Sequence, residues 1–169
     1  MIGRFRQPEV REDVEEPKGF DDFELRLEWS VEPGGNSGIM FRVTEDQPAC
    51  WMTGPEMQVL DDRLHPDGAS ALTSAGALYA LLPAPPRAVL PAERWNRARI
   101  VMRGSRLEQW LNGIRVVECD LDSERMRELI AASKFRSYPR FARNRAGHIV
   151  LQDHSDEVRY RKIRVRSLR

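Results

Sequence analysis

The chain has 169 residues, 41% apolar and 31% charged, with a formal net charge of +1. That length suits one domain whose core needs neither disulfides nor a structural metal, and the near-zero charge argues against nucleic acid or another polyanion as the main partner. No apolar run approaches the ~18 residues of a membrane span, and the start, MIGRFRQPEV, has neither an apolar h-region nor a small-residue cleavage site, so the chain as given is expected in the cytoplasm and off the membrane.

Residues 1–19 are rich in charge and hold Pro8 and Pro17, which predicts a poorly ordered or loosely docked arm ahead of a single domain over 20–169. The first clear strand is Phe23 to Trp29, with Phe23, Leu25, Leu27 and Trp29 on one face and Glu24, Arg26 and Glu28 on the other. Pro33-Gly34-Gly35-Asn36 is a turn, and Ser37 to Val43 returns with Ile39, Phe41 and Val43 inward and Met40 and Arg42 opposite; an antiparallel hairpin is the natural expectation. In the next stretch, PEMQVLDDRLHPDG over 55–68, Glu56, Gln58 and Leu60 alternate with Met57 and Val59, and a loop follows with Asp61, Asp62, His65 and Asp67. Ser74 to Leu82 is short and apolar. The prolines of Leu82 to Pro91 keep that segment out of a central sheet.

Arg97 to Arg103 alternates again. Arg106 to Leu111 and Ile114 to Asp120 flank Asn112-Gly113, a two-residue hairpin turn in which both positions need positive φ. Asp122 or Ser123 caps a helix through about Ala132, carried by Met126, Leu129 and Ile130. The last strands are His148 to Gln152 and Val158 to Val165. In the second, Val158 and Tyr160 have one parity and Ile163 and Val165 the other, which predicts a bulge near Arg161-Lys162 or a change of sheet. Short alternating strands with one late helix near 123–132 make an all-β, two-sheet antiparallel sandwich or jelly roll.

The candidate chemistry sits in polar positions. His65, His148 and His154 all lie at loops or strand ends; a histidine beside an aspartate, as in Asp153-His154, can be a general base, and can equally be a cap or an exposed loop residue. Asp61, Asp62, His65 and Asp67 could hold a divalent metal, but their spacing matches no strong ligand pattern, and no cofactor is required. Arg42 could grip a carboxylate or sugar hydroxyl, or be a surface arginine. Trp51, Trp95, Trp110 and Tyr79 could stack on a sugar ring, although large aromatics in a sandwich are more often core. The basic tail (Arg159, Arg161, Lys162, Arg164, Arg166, Arg169) has cations on both parities and, with Tyr160 its one aromatic, no interleaved series of stacking rings, as on a solvated edge. Cys50 and Cys119 fit no metal spacing and are buried thiols or one bridge. Phosphate loops, Gly-x-Ser-x-Gly elbows and Cys-x-x-Cys pairs are missing, so phosphoryl transfer, serine hydrolysis and thiol redox have no support.

Eight blocks in order carry a resemblance. They are FDDFELRLEW at 20–29, GNSGI at 35–39 with Arg42, EMQVLD at 56–61 with HPD at 65–67, GALY at 76–79, Trp95-Asn96, WLNG at 110–113, SKF at 133–135 and GHIVLQDH at 147–154. Over about residues 18–168 the chain resembles the 3-keto-disaccharide hydrolase family. The resemblance implies a concanavalin A-like lectin/glucanase sandwich. Its implied substrate is a 3-keto sugar or glycoside already oxidised at C3 by a separate sugar 3-dehydrogenase. A C3 ketone acidifies the C2 proton, so a base can form the enolate, the C1 substituent can leave, and water can add. On that resemblance the catalytic candidates are His154, Glu56, Asp61 and Lys134, with His154 as base or, failing it, Glu56 or Asp61. Arg42, Gln58, His65, Tyr79 and Gln152 would bind substrate, Arg42 joining Lys134 at the enolate.

Two departures from the family pattern stand out. Family members, often exported or periplasmic, usually carry strands and a tryptophan segment before the first block, and here about twenty residues rich in charge stand there. Either those strands are missing, leaving a sheet edge that a partner chain, a second copy included, would cover, or the arm is a rebuilt start. Ser155 and Asp62 stand where glycine and asparagine are common, and serine seldom adopts the positive φ that glycine permits. The alternatives to an enzyme are a non-catalytic carbohydrate-binding module on the same sandwich and a purely structural interaction domain. An enzyme would gather its titratable groups in one concave pocket; a binding module needs exposed aromatics and little else.

Overall fold

The computed structural model describes residues 19–168, so the expected charged arm lies, apart from Gly19, outside the described residues. Among the described residues are eight strands, β1 (Phe23–Val31), β2 (Asn36–Val43), β3 (Glu56–Leu60), β4 (Asn96–Arg103), β5 (Arg106–Leu111), β6 (Ile114–Asp120), β7 (His148–Leu151) and β8 (Val158–Ser167), and one α-helix, α1 (Glu124–Ala132). They form two antiparallel sheets, one of five strands in the order β6-β5-β4-β1-β8 and one of three in the order β3-β2-β7. This is the expected all-β sandwich. Its core lies between Phe23, Leu25, Leu27 and Trp29 of β1, Ile100 and Met102 of β4, and Ile39, Phe41, Met57 and Val59 of the smaller sheet.

The expected hairpin of the first two strands is corrected. β1 pairs with β4 and β8, whereas β2 pairs with β3 and β7, so the glycine turn is an arch that carries the chain from one sheet to the other. The reason lies in burial. Every residue of β2 is buried, which only the central strand of a sheet covered on both faces can satisfy.

Local signals held where the chemistry is local. Asn112 and Gly113 take φ of 51° and 86° in the β5–β6 turn. Ser123, not Asp122, caps α1, its hydroxyl accepting from Met126 N at 3.2 Å. The parity slip in β8 is a bulge: Arg26 faces Arg164 but Glu28 faces Arg161, and Lys162 has a φ of 53°. The basic strand is a solvated edge whose cations reach β1 carboxylates, Arg161 and Lys162 meeting Glu28 and Arg166 meeting Glu24. Both cysteines are free thiols.

Candidate active site

The outward face of the three-stranded sheet is not left to water. Gly38 lies opposite Gln58 and Met40 opposite Glu56, so this face carries the parity of Glu56, Gln58 and Leu60, as the alternation of β3 predicts. Three segments rise around it. Residues 76–79 run along the open side of β3, with Gln58 N donating to Ala77 O, Gly76 N to Gln58 O and Tyr79 N to Glu56 O, which brings Tyr79 beside Glu56. Beyond α1, Ser133 ends the helix and starts a single 3-10 turn, Lys134–Ser137, its hydroxyl accepting from Phe135 N. Phe135 anchors that turn, stacked on Phe141 at 3.9 Å. On the third side Gln152 N donates to Gly38 O at the end of β7.

Between them lies a cleft of about 340 Å³ lined by Glu56, Gln58, Tyr79, Lys134, Gln152 and His154, with Trp51, Tyr138, Asn36 and Phe135 completing the wall. Six of the nine residues expected at the site therefore meet in one cavity, from segments as far apart in sequence as 56 and 154. Asn36, Phe135 and Tyr138 were not foreseen. Nothing in local pattern separates them from turn or core residues; only the fold brings them to the cleft.

Glu56 is the electrostatic centre. Burial pushes its carboxyl up to about 8, with the ammonium of Lys134 acting in the opposite sense and Asp67 in the same sense as burial. Its position is fixed from two sides. A Cβ on Gly38 would stand 2.0 Å from Glu56 Oε1, so only glycine leaves room for the carboxyl to lie over the sheet. The Gln58 amide, turned so that its nitrogen meets the acceptors around it, donates to Glu56 Oε1 and to Ser37 O, both at 3.1 Å. Lys134 as a residue is exposed, but its Nζ sits 4.1 Å from the centre of the Tyr79 ring. Desolvation there lowers its pKa, while Glu56 and Asp67 pull it up. Tyr79 donates to Asp67 Oδ2 at 3.2 Å, and its own pKa is pushed up to about 12, first by burial and then by that carboxylate. The set couples a proton acceptor with a raised pKa to a cation, the pairing that proton abstraction next to a carbonyl needs.

Three expected site residues lie elsewhere. Arg42 is corrected from a substrate-binding cation to a structural one. Its φ of 53° at the β2–β7 register shift turns the side chain into the body of the protein, where it is 4% exposed and donates to Asp21 O and Gly104 O at 2.8 and 2.7 Å. Asp61 is also buried, accepting from Gly34 N and Arg63 N, so it ties the arch to the loop after β3 instead of facing the cleft. His65 caps the turn Pro66–Ala69, its Nδ1 accepting from Asp67 N at 3.1 Å. The four loop residues weighed as metal ligands point to separate tasks, Asp62 accepting from Ala75 N and Asp67 from Tyr79; among the described residues no three His, Cys, Asp or Glu side chains gather around a common point.

His154 lines the cleft but is exposed, and the neighbouring Asp153 accepts from Ser155 N at 3.0 Å. Ser155 itself has a φ of 74°. An L-residue in that region carries a steric cost of roughly 1–2 kcal/mol, less the ~0.5–1 kcal/mol of chain entropy that glycine would add. Ser155→Gly is therefore expected to stabilise the protein by up to about 1 kcal/mol, raising Tm by roughly 2–4 °C. Thermal unfolding checks this, and an unchanged or lower Tm would mean that the Asp153 contact already offsets the strain.

Comparison with known proteins follows the same outline. The family model of the 3-keto-alpha-glucoside-1,2-lyase-like domain matches residues 9–166. A 3-keto-disaccharide hydrolase of Bacteroides thetaiotaomicron is 34% identical over 172 residues, covering 88% of this chain; the chain spans 59% of that relative's length. Among solved structures, one candidate glycosyl hydrolase of Parabacteroides distasonis superimposes with a TM-score of 0.84 at 24% identity, over 90% of this chain and 75% of that one. A second from the same organism gives 0.67 at 25% identity, over 88% and 79%. A carbohydrate-binding module of Bacillus subtilis shares the fold at a TM-score of 0.55 and 13% identity, over 89% and 78%.

Proposed function

The chain belongs to the 3-keto-alpha-glucoside-1,2-lyase-like domain family, and from that premise we propose that its cleft cleaves 3-keto-glycosides by removing the proton at C2. The observation that carries this reading is the Glu56 carboxyl, held by Gln58 over Gly38 and shifted to about 8 beside Lys134. A base works best when its pKa lies near the operating pH, and a ketone makes the C2 proton acidic enough for a carboxylate of that strength to take.

In the proposed sequence Glu56 takes the C2 proton, and the electron pair of the C–H bond moves into an enolate at O3. The ammonium of Lys134 stabilises that oxygen. The enolate then expels the C1 substituent, whose oxygen takes up the proton that Glu56 now carries or one from His154, which lines the same cleft. Water adds across the resulting C1–C2 double bond, returning a proton to C2 and completing net hydrolysis. Gln58 and Gln152 are placed to hold hydroxyls. Sequence reasoning puts His154 first as the base. Glu56 is preferred because it is held in place, whereas the carboxylate next to His154 is turned to the backbone of Ser155. The substrate's ketone requires an upstream oxidation at C3, the task of a sugar 3-dehydrogenase.

The test is to incubate the protein in deuterated water with a 3-keto-glycoside and with its unoxidised parent. The expected result is release from the keto form alone, with deuterium at C2 of the product. Release from both, or release without deuterium, would overturn the elimination route. Binding without release would make the protein a carbohydrate-binding module, the reading to which the shared fold of the Bacillus subtilis module lends support.

A further inference from the structure

We propose that Trp51 and Tyr138 form the subsite for the leaving group, and that this subsite selects leaving groups with a ring whose flat apolar face can stack. The inference rests on reading the cleft as a 3-keto-glycoside site and adds the part of the substrate that the polar floor does not address.

Four aromatic rings line the cleft, and two are already engaged. Tyr79 carries the Lys134 ammonium on its face and holds Asp67 through its hydroxyl. Phe135 is 3% exposed and lies flat against Phe141, 6° from parallel. Trp51 and Tyr138 remain, meeting edge to face at 5.1 Å and 73°. Trp51 is 41% exposed. The other tryptophans do not offer such a face to the cleft. Trp29 is fully buried in the core, Trp95 lies under Arg161 at 3.8 Å, and Trp110 lies under Arg99 and Arg115 on the five-stranded sheet.

The turn that carries Trp51 is tied to the end of β2. This 3-10 turn, Cys50–Met52, buries no residue of its own, yet it is pinned by the buried Thr53, whose hydroxyl accepts from Thr44 N and donates to Cys50 O. Gly54 presses so closely on β2 that a Cβ there would stand 2.4 Å from Val43 Cγ2. Thr53, Gly54 and Pro55, all buried, then lead straight into Glu56. Four residues lie between Trp51 and Glu56, so their Cα atoms are at most ~18 Å apart. The cleft thus has a polar floor at Glu56, Gln58 and Lys134 for the oxidised sugar, and an aromatic corner beside it. The C–H face of a pyranose or the face of an aryl group fits such a corner; a small alkyl group has no face to present.

The experiment compares kcat/KM for 3-keto-glucosides whose leaving groups are glucose, p-nitrophenol and methanol, in the wild type, Trp51→Ala and Trp51→Phe. The ratios of variant to wild type are taken within each substrate, so intrinsic leaving-group reactivity cancels. In Trp51→Ala the preference for the ring leaving groups over methanol is expected to fall about 10-fold, the order of one lost aromatic contact, with most of it restored by Phe. A fall for glucose alone or for p-nitrophenol alone upholds the subsite and names its occupant. Equal falls for all three substrates, or no fall for any, overturn it. If the wild type turns over none of the three, the enzymatic reading fails; a fluorescence titration with the same compounds, compared between the wild type and Trp51→Ala, still decides whether a ring binds at this corner.

Discussion

Replacing Glu56 with glutamine is expected to lower kcat/KM for a 3-keto-glycoside by about 10³-fold, the usual scale for removing a positioned general base. Glutamine keeps the shape and can still accept from the Gln58 amide, so the change removes the proton acceptor and little else. In the wild type the rate is expected to rise with pH through about 8, as the buried carboxyl ionises, and that arm should vanish in the variant. Stability provides an independent readout. The folded pKa of Glu56 lies above its ordinary value of 4.5, so the folded state holds a proton that the unfolded chain gives up. The stability linked to that proton is whole below about pH 4.5 and is lost as pH rises through about 8. At pH 8 Glu56→Gln should therefore be more stable than the wild type, on the order of 2–4 kcal/mol, and the difference should close towards pH 4.5. Slower turnover with a higher Tm at pH 8 is the signature of a strained catalytic group. Near-normal turnover would remove Glu56 from the role and leave His154 as the base.

Lys134→Met should cost about 10²–10³-fold in kcat if the ammonium stabilises the enolate, the scale of losing one preorganised oxyanion partner. Methionine retains an unbranched chain to lie over Tyr79, so the anchored turn around Phe135 should persist. The sign of a second effect follows from the charge. Lys134 lowers the pKa of Glu56, so its removal should move the rising arm of the pH profile to higher pH. The decisive measurement is the plateau above that arm. A lowered plateau supports contact with the enolate oxygen. A plateau equal to the wild type, reached only at higher pH, would mean that Lys134 acts solely by tuning Glu56.

The contrast between Glu56 and Asp61 shows where sequence reading stops. Both are acids in or next to the same strand, and both fall in the same block of resemblance. Asp61 turns to the amide of Gly34 and is satisfied, whereas Glu56 lies over Gly38 in a cavity whose other walls come from residues 79, 134 and 154. Alternation puts the two on opposite faces, but it does not say what either one meets there. Arg42 makes the same point in reverse: a single positive φ takes its side chain from the outward face of β2 to the backbone carbonyls of Asp21 and Gly104.

What the sequence determined by itself was the set of local choices: alternating faces along β1 and β3, the Asn112-Gly113 hairpin, the start of α1 at Asp122 or Ser123 and a break in alternation near Arg161-Lys162. Each depends on steric and solvation preferences within a few neighbouring residues. Its motif blocks also carried the family and, with it, the sandwich. Tertiary structure alone decided which sheet each strand joins, with β1 and β2 on opposite sides of the core, and which polar residues lose their water together. Periodicity says that a residue faces inward or outward but not what it meets there. Desolvation and Coulomb terms depend on those distant neighbours, and they make Glu56 the group with chemistry to perform.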